Sequence, residues 1–393
     1  MRAAVRPDAI RGHNLSLALA HVHRDGEVTR AELTQRLGLS RSTVGALVAH
    51  LTQLGLVEEV VPSGGSGVGR PSHVVVPHHQ GPFAFGVDID LTSVTVAAIG
   101  LGGQILARTV VETRDPDGPA QPDPVLVVDR VAAALDLVWK QGRPSGRPCG
   151  VGVSVPGTVD RHTGRIGDAP NLGWRDLALA EMVAERVPGR IPVVLGNDAD
   201  LALVAEHRRG SVRGCEDAVF LMGRGGVGAG IMASGLPLSG RDGHAGEIGH
   251  NPLDPAGPRC HCGKNGCLEL YLGEEALLSA AGHDGEGSAG VARVFAEARD
   301  GRRQALQAVQ GLVDPLGRAV AWLLNTLNPE KVVLGGSLAD VFELVRAEVA
   351  AATARYCFDM RGDLGLVAPA LGRDSALYGA AEVGFAKLLA DPR

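Results

Sequence analysis

Aromatic side chains are scarce here: seven Phe, three Trp and three Tyr in 393 residues. So few rings leave no stacking platform for single-stranded nucleic acid. Lysine is scarcer still, with only Lys140, Lys264, Lys331 and Lys387 among 38 basic residues, a bias that together with 55 glycines fits a GC-rich bacterial genome. No apolar run approaches the roughly 20 residues of a membrane span. The start, Met1-Arg-Ala-Ala-Val-Arg-Pro7, lacks the apolar core of a signal peptide. The expectation is a cytoplasmic protein with no membrane partner. What remains is ordinary globular composition, 45% hydrophobic and 21% charged, in a chain long enough for two or three domains. Charge is uneven. Residues 1–80 carry eight Arg against six carboxylates, a formal +2, whereas the rest brings the total to −6. A mildly basic head on an acidic body points weakly to nucleic acid at the N-terminus alone.

Of only six cysteines, three fall within eight residues: Cys260, Cys262 and Cys267, with His250 ten residues before the first. Three thiolates and one imidazole complete a tetrahedral set, the ligand chemistry of structural zinc, one ion per chain. A redox pair or a disulfide fits less well, because a cytosolic Cys/His cluster is more often metal-binding. Two carboxylates flank the set, Glu247 a helical turn before His250 and Glu269 two residues after Cys267. A metal fixing both ends of this loop would fix those acids in space.

Near the N-terminus, Thr29 and Glu32 form a capping box that opens a short helix, and Gly38 ends it. Ser40 caps a second helix with Val44, Leu47, Val48, Leu51 and Leu54 on one stripe. A preceding helix is expected over about Asp8–His23. Two short helices joined by Gly-Leu-Ser describe a helix-turn-helix. Arg41, Ser42 and Thr43 then occupy the exposed first turn that meets the major groove of double-stranded operator DNA. Val57–Val61 and His73–Val76 predict the strands of a wing around the glycine-rich Pro62–Pro71. Arg70, held extended by the following proline, is placed to enter a minor groove. The alternatives are a helical hairpin for dimerisation and a plain glycine linker.

From about residue 82 short apolar strands alternate with helices, which predicts an α/β body. Strands are expected within Phe83–Gly100, before Ser154, over Ile191–Leu195, as a hairpin over Ala218–Met232 and over Lys331–Gly336. Helices are expected over about 123–140, 199–208, 304–327 and 375–390.

The body resembles the ROK family of sugar kinases and sugar-responsive repressors. The resemblance rests on Ser154-Val-Pro-Gly157, Ala169-Pro-Asn-Leu-Gly-Trp174, Asn197-Asp-Ala199, Val227-Gly-Ala-Gly230, Gly246-Glu-Ile-Gly-His250, the Cys260–Glu269 knuckle and Leu334-Gly-Gly336. With the winged head in front, nearly the whole chain resembles the family's repressor branch, which includes xylose- and N-acetylglucosamine-type regulators. The resemblance implies a winged helix-turn-helix followed by a two-lobed actin- and hexokinase-like, ribonuclease H-like fold. The implied boundaries are a head over 1–79, a first lobe over 80–195 completed by the C-terminal helix 375–393, and a second lobe over 196–374 with the zinc loop.

It further implies that Asn171, Asn197, Asp198, Glu247, His250 and Glu269 bind a small neutral sugar, His250 doubling as metal ligand. In the kinases the residue matching Asp198 is the general base. Their phosphate turn is Asp-x-Gly-Gly-Thr-Lys, where this chain has Asp88-Ile-Asp-Leu-Thr-Ser93. Leu91 puts a side chain where backbone must approach a phosphate. Asp90 adds an anion, a like-charge contact costing about 4 kcal/mol at 4 Å and an effective dielectric of 20. The expectation is a sugar-responsive repressor of carbohydrate genes without enzymatic activity, acting as a homodimer or dimer of dimers. A sugar kinase with an accessory head is the alternative. A DNA-bound scaffold that ignores sugar fits worst, because the sugar-side acids are intact.

Overall fold

The computed structural model describes residues 7–61, 73–113, 121–142, 146–187, 189–358 and 363–393. Its head has helices Pro7–Asp25, Arg30–Leu37 and Arg41–Gln53. Both halves of the capping box form: Glu32 N–H donates to the Thr29 hydroxyl (3.1 Å), and Thr29 N–H donates to the Glu32 carboxylate (2.7 Å). Ser40 caps the following helix by accepting from Thr43 N–H at 3.2 Å. Val44, Leu47, Val48 and Leu51 are buried. Leu54 is not; the helix stops at Gln53, and Leu54 becomes its exposed C-cap. Strands Val57–Val60 and Val74–Pro77 pair antiparallel as the stem of a wing. A third strand, Val28–Thr29, pairs with the outer side of Val74–Pro77 and is too short to carry a sequence signal. The glycine-rich tip and Arg70 lie outside the described residues.

The body repeats one topology twice. In the first sheet, Phe83–Ile89, Ser93–Gly100 and Ile105–Glu112 form an antiparallel meander, and Pro148–Val155 and Val193–Asn197 add in parallel beside Phe83–Ile89. In the second, Ala218–Arg224, Gly226–Ala233 and Leu236–Pro237 form the meander, and Lys331–Gly336 and Leu366–Val367 add in parallel beside Ala218–Arg224. Two lobes with a cleft between them follow.

Two helices fill the space between the sheets. Ser375–Gly384 lies on the first sheet so closely that a Cβ at Gly152 would sit 1.7 Å from the Ala380 carbonyl oxygen. Asp198–Arg209 packs on the second sheet through Ala199, Ala202 and Leu203, against Phe220, Met222 and Met232. The helices meet at Gly379, where a Cβ would come within 1.8 Å of the Leu201 carbonyl oxygen.

The helix expected over 304–327 is two, Arg303–Gly311 and Val313–Leu327. Gly311 closes the first, and Pro315 falls in the first turn of the second, where its missing N–H has no partner to lose. The 375–390 helix likewise breaks at Phe385, which is buried between head and body.

Each lobe has its own apolar core. A third core joins the head to the body: Leu15, Leu19, Val22, Leu51 and Val75 pack with Ala84, Ile99, Leu377, Ala381 and Phe385. Among the described residues no helix is long and apolar enough to cross a membrane.

Candidate functional site

A cavity of about 410 Å³ opens between the lobes, and Asn171, Asn197, Asp198, Glu247, His250 and Glu269 all line it. Asn197 ends a strand of the first sheet and caps helix Asp198–Arg209. Its Oδ1 accepts from Ala199 and Asp200 N–H, and its Nδ2 donates to the Gly157 carbonyl at 2.9 Å. One amide hydrogen is left for a ligand. Asp198 is the first residue of that helix. Burial pushes its carboxyl up to about 7, reinforced by Asp88 and opposed by Arg224.

Glu247 and His250 flank the short turn Ile248–His250, and Glu269 opens helix Glu269–Leu272. Burial also raises the Glu247 carboxyl, against the pull of His250 and His244. The His250 ring faces two ways. Its Nε2 lies 3.8 Å from Glu247, while its Nδ1 lies 3.4 Å from Glu269 and 3.8 Å from the Cys260 sulfur.

The Nδ1 face looks onto the thiols. One ligand atom each from His250, Cys260, Cys262 and Cys267 falls within 4.8 Å of all the others. The Cys262 and Cys267 sulfurs are 3.6 Å apart. A zinc tetrahedron with Zn–S of about 2.3 Å and Zn–N of about 2.0–2.1 Å has edges of roughly 3.5–3.8 Å, so the donor set fits such an ion. All six cysteines are free thiols. The Cys260 thiol donates to Glu269 at 2.7 Å, and burial together with that carboxylate holds it well above the usual thiol range. Backbone bridges Pro252–Cys267 and Arg259–Asn265 close the knuckle, and Leu268 and Leu272 root it in the second-lobe core.

The residue that sequence reasoning missed is Arg224. It is the lone charge in a hairpin of apolar residues and glycines, and that isolation was the available signal. Its Nη1 and Nη2 donate to Asp88 at 3.1 and 2.9 Å, and its Nε lies 3.0 Å from Asp90. Burial alone would lower its pKa; Asp88 and Asp90 raise it instead, so the guanidinium stays charged. With Met222 it borders both the large cavity and a second one, of about 240 Å³, lined by Asp88, Asp90, Glu274 and Arg373. Arg224 offsets only part of the charge that Asp90 adds, because one guanidinium is shared between two carboxylates and the cluster stays net negative. Leu91 lies against Gly225: a Cβ there would be 2.6 Å from the Leu91 side chain.

On the head, Arg41, Ser42 and Thr43 are all exposed. The Ser42 and Thr43 hydroxyls are within hydrogen-bond reach of the Ser40 hydroxyl, at 2.8 and 2.9 Å. Arg41 makes no hydrogen bond or ion pair among the described residues.

Fold and site together define a two-lobed sugar-kinase-like protein that carries a winged helix of the DNA-binding kind. The match to known sequences agrees: residues 84–385 match the ROK family and residues 16–67 the MarR family. The chain belongs to the ROK family, with a MarR-type winged-helix head. It is 27% identical to the xylose repressor of Bacillus spizizenii over 92% of this chain and 94% of that one. It is 33% identical to a glucokinase of Halalkalibacterium halodurans over 65% of this chain and 80% of that one. The solved structure of a ROK family transcriptional regulator, a homologue of the E. coli MLC protein, shares the fold with TM-score 0.74 at 23% identity, over 97% of each chain.

Proposed function

We propose that this protein is a sugar-responsive transcriptional regulator, a repressor of genes for carbohydrate uptake or catabolism. The observation that carries it is the asymmetry about Arg224. On one side lies a cavity rich in carboxylates and amides, suited to sugar hydroxyls. On the other, the smaller cavity presents Asp88 and Asp90 already paired with the protein's own guanidinium, and Leu91 stands in place of a phosphate-turn glycine. A site built to bond each hydroxyl rejects analogues lacking one. In this reading Asn171, Asn197, Asp198, Glu247, His250 and Glu269 hold a neutral sugar.

His250, Cys260, Cys262 and Cys267 would hold one structural zinc, which when bound fixes the knuckle that carries Glu269. His250 would present Nδ1 to the metal and keep Nε2 for Glu247 and the ligand, so one ring orients both. Arg41, Ser42, Thr43 and Arg70 would contact double-stranded operator DNA. The chain would divide into a head over 1–79, a first lobe over 80–195 with 375–393, and a second lobe over 196–374. Paired half-sites call for two heads at fixed spacing, hence a homodimer or a dimer of dimers.

One observation favours a kinase instead: a carboxyl titrating near 7 suits a general base, and Asp198 is such a carboxyl. A coupled phosphorylation assay with ATP and a panel of hexoses and pentoses separates the two. No turnover is expected. Steady phosphorylation, abolished by Asp198→Asn, would make the protein a kinase with a DNA-binding head.

A further inference from the structure

Helix Asp198–Arg209 starts in the sugar cavity and ends against the DNA-binding head. At its N-terminus, Asn197 and Asp198 line the cavity. At its C-terminus, Arg209 is nearly buried and donates from Nη1 to the Gly102 carbonyl at 2.8 Å and to the His23 carbonyl at 3.4 Å. His23 belongs to the first helix of the head and is itself buried. The Gly102 N–H donates to His23 Nδ1 at 3.1 Å, and His23 Nε2 lies 3.0 Å from both the Glu382 carboxylate and Arg209 Nη2.

Glu382, on helix Ser375–Gly384, gathers the joint. Arg209 donates to it from Nε at 2.9 Å and also from Nη2, and Arg208 donates from Nη1 at 2.5 Å. Burial alone would raise the Glu382 carboxyl; the contact with His23 and the two guanidinium groups holds it well below the usual carboxylate range. Just past the helix, Arg213 pairs with Asp25 at the end of the head's first helix. One element therefore touches cavity and head, and its far end is tied down by Arg208, Arg209 and Arg213, although the buried Ser211 hydroxyl beside it has no partner among the described residues.

We propose that helix Asp198–Arg209 transmits the state of the cavity to the head, with Arg209 and His23 as the positioning residues of the joint. The proposal rests on the cavity being the effector site. A sugar that shifts the Asn197–Asp198 end relative to the second lobe must move the helix as a body, because Asn197 ties it to the first sheet and it packs along Ser375–Gly384. The close contact of Leu201 on Gly379 leaves no slack for it to deform. A buried ion-pair network such as Glu382 with Arg208, Arg209 and His23 favours one geometry, so the joint passes the displacement to the head rather than absorbing it.

The test uses the full chain, a duplex that the protein selects from a random-sequence pool, and D-glucose, D-xylose and N-acetylglucosamine as probes. Arg209→Lys keeps a charge but loses the fork that spans Glu382 and Gly102. It is expected to keep sugar affinity within about twofold of the unaltered protein, while the ratio of duplex Kd with and without sugar collapses to about one. An Arg209→Lys ratio equal to that of the unaltered protein overturns the proposal and leaves the sensor reading standing. An unaltered protein that binds no sugar, or binds one without any change in duplex affinity, overturns both. Should Arg209→Lys not fold, hydrogen exchange on the unaltered protein decides. Sugar must alter exchange of the Gly102 amide, which donates to His23. Protection confined to residues 197–200 overturns the proposal.

Discussion

Arg224 grips Asp88 with two N–H···O bonds and so ties the end of a second-sheet strand to a first-sheet strand, across the cleft. Asp90 completes the cluster from the adjoining turn. Removing one partner from a buried pair leaves an uncompensated charge and costs about 3–5 kcal/mol. Arg224→Ala is expected to lose stability on that scale in urea unfolding. Arg224→Ala with Asp88→Ala should lose less than the sum of the two single changes. Full additivity would show that the pair does not interact.

The same cluster sets an expectation for nucleotide. Asp90→Gly with Leu91→Gly restores the glycines of the phosphate turn, yet Arg224 keeps its bonds to Asp88. Binding of a fluorescent ATP analogue is expected to stay undetectable in that variant. Recovered binding would mean that Arg224 is no obstacle.

Asp198 gives a pH dependence. Its carboxyl lies at about 7 in the folded protein because it is buried, against about 3.9 for an unperturbed Asp. A raised folded value favours the protonated native state, so its contribution is present below about pH 4 and lost as pH rises through 7. The gain in melting temperature from Asp198→Asn should therefore be larger at pH 8 than at pH 6 in the sugar-free protein. A hydroxyl donates more strongly to a carboxylate than to a carboxyl. Sugar affinity should accordingly rise from pH 6 to pH 8 in the unaltered protein and stay flat in Asp198→Asn. A fall in affinity over that range would contradict the assigned contact.

Cys262 is the exposed member of the thiol cluster, so Cys262→Ser disturbs little packing. Elemental analysis is expected to find about one zinc per chain before the change and markedly less after it. Calorimetry should show sugar binding weakened in parallel, because Glu247 and Glu269 flank the knuckle. Zinc-free native protein with normal sugar affinity would remove the metal from the account.

Local signals made much of this architecture legible. The Thr29–Glu32 box, the Ser40 cap and Gly38 each act within four residues, and all form as read. The Cys/His spacing and the strand-end Asn197-Asp198 also depend on short stretches; the fold brings the four Cys/His donors within 4.8 Å of one another and sets His250, Asn197 and Asp198 on one cavity wall. What escaped involved distance. Arg224 meets Asp88 across the cleft, and His23 meets Glu382 across nearly the whole chain. No spacing rule links such residues. The extension of the head's core into the body was equally hidden, because the head's apolar stripe packs on itself and also on Ile99, Leu377 and Phe385. Deleting residues 1–79 would strip cover from those side chains, so loss of DNA binding is better tested by point change.

Arg41 is the residue for that change, exposed on the first turn and unpaired among the described residues. Arg41→Ala is expected to weaken binding to the selected duplex by roughly 1–3 kcal/mol and to relax sequence preference. An equal loss on every sequence, with a shallower salt dependence, would make Arg41 a phosphate contact instead.

The central claim is that one cavity senses a sugar on behalf of the head. Fluorescence anisotropy of the selected duplex, titrated with protein in the presence and absence of each sugar and without nucleotide, tests it most directly. At least one sugar should shift the duplex Kd by tenfold or more, an allosteric coupling of about 1.4 kcal/mol, and Asp198→Asn should shrink that shift. A duplex Kd unmoved by any sugar that demonstrably binds would contradict the account.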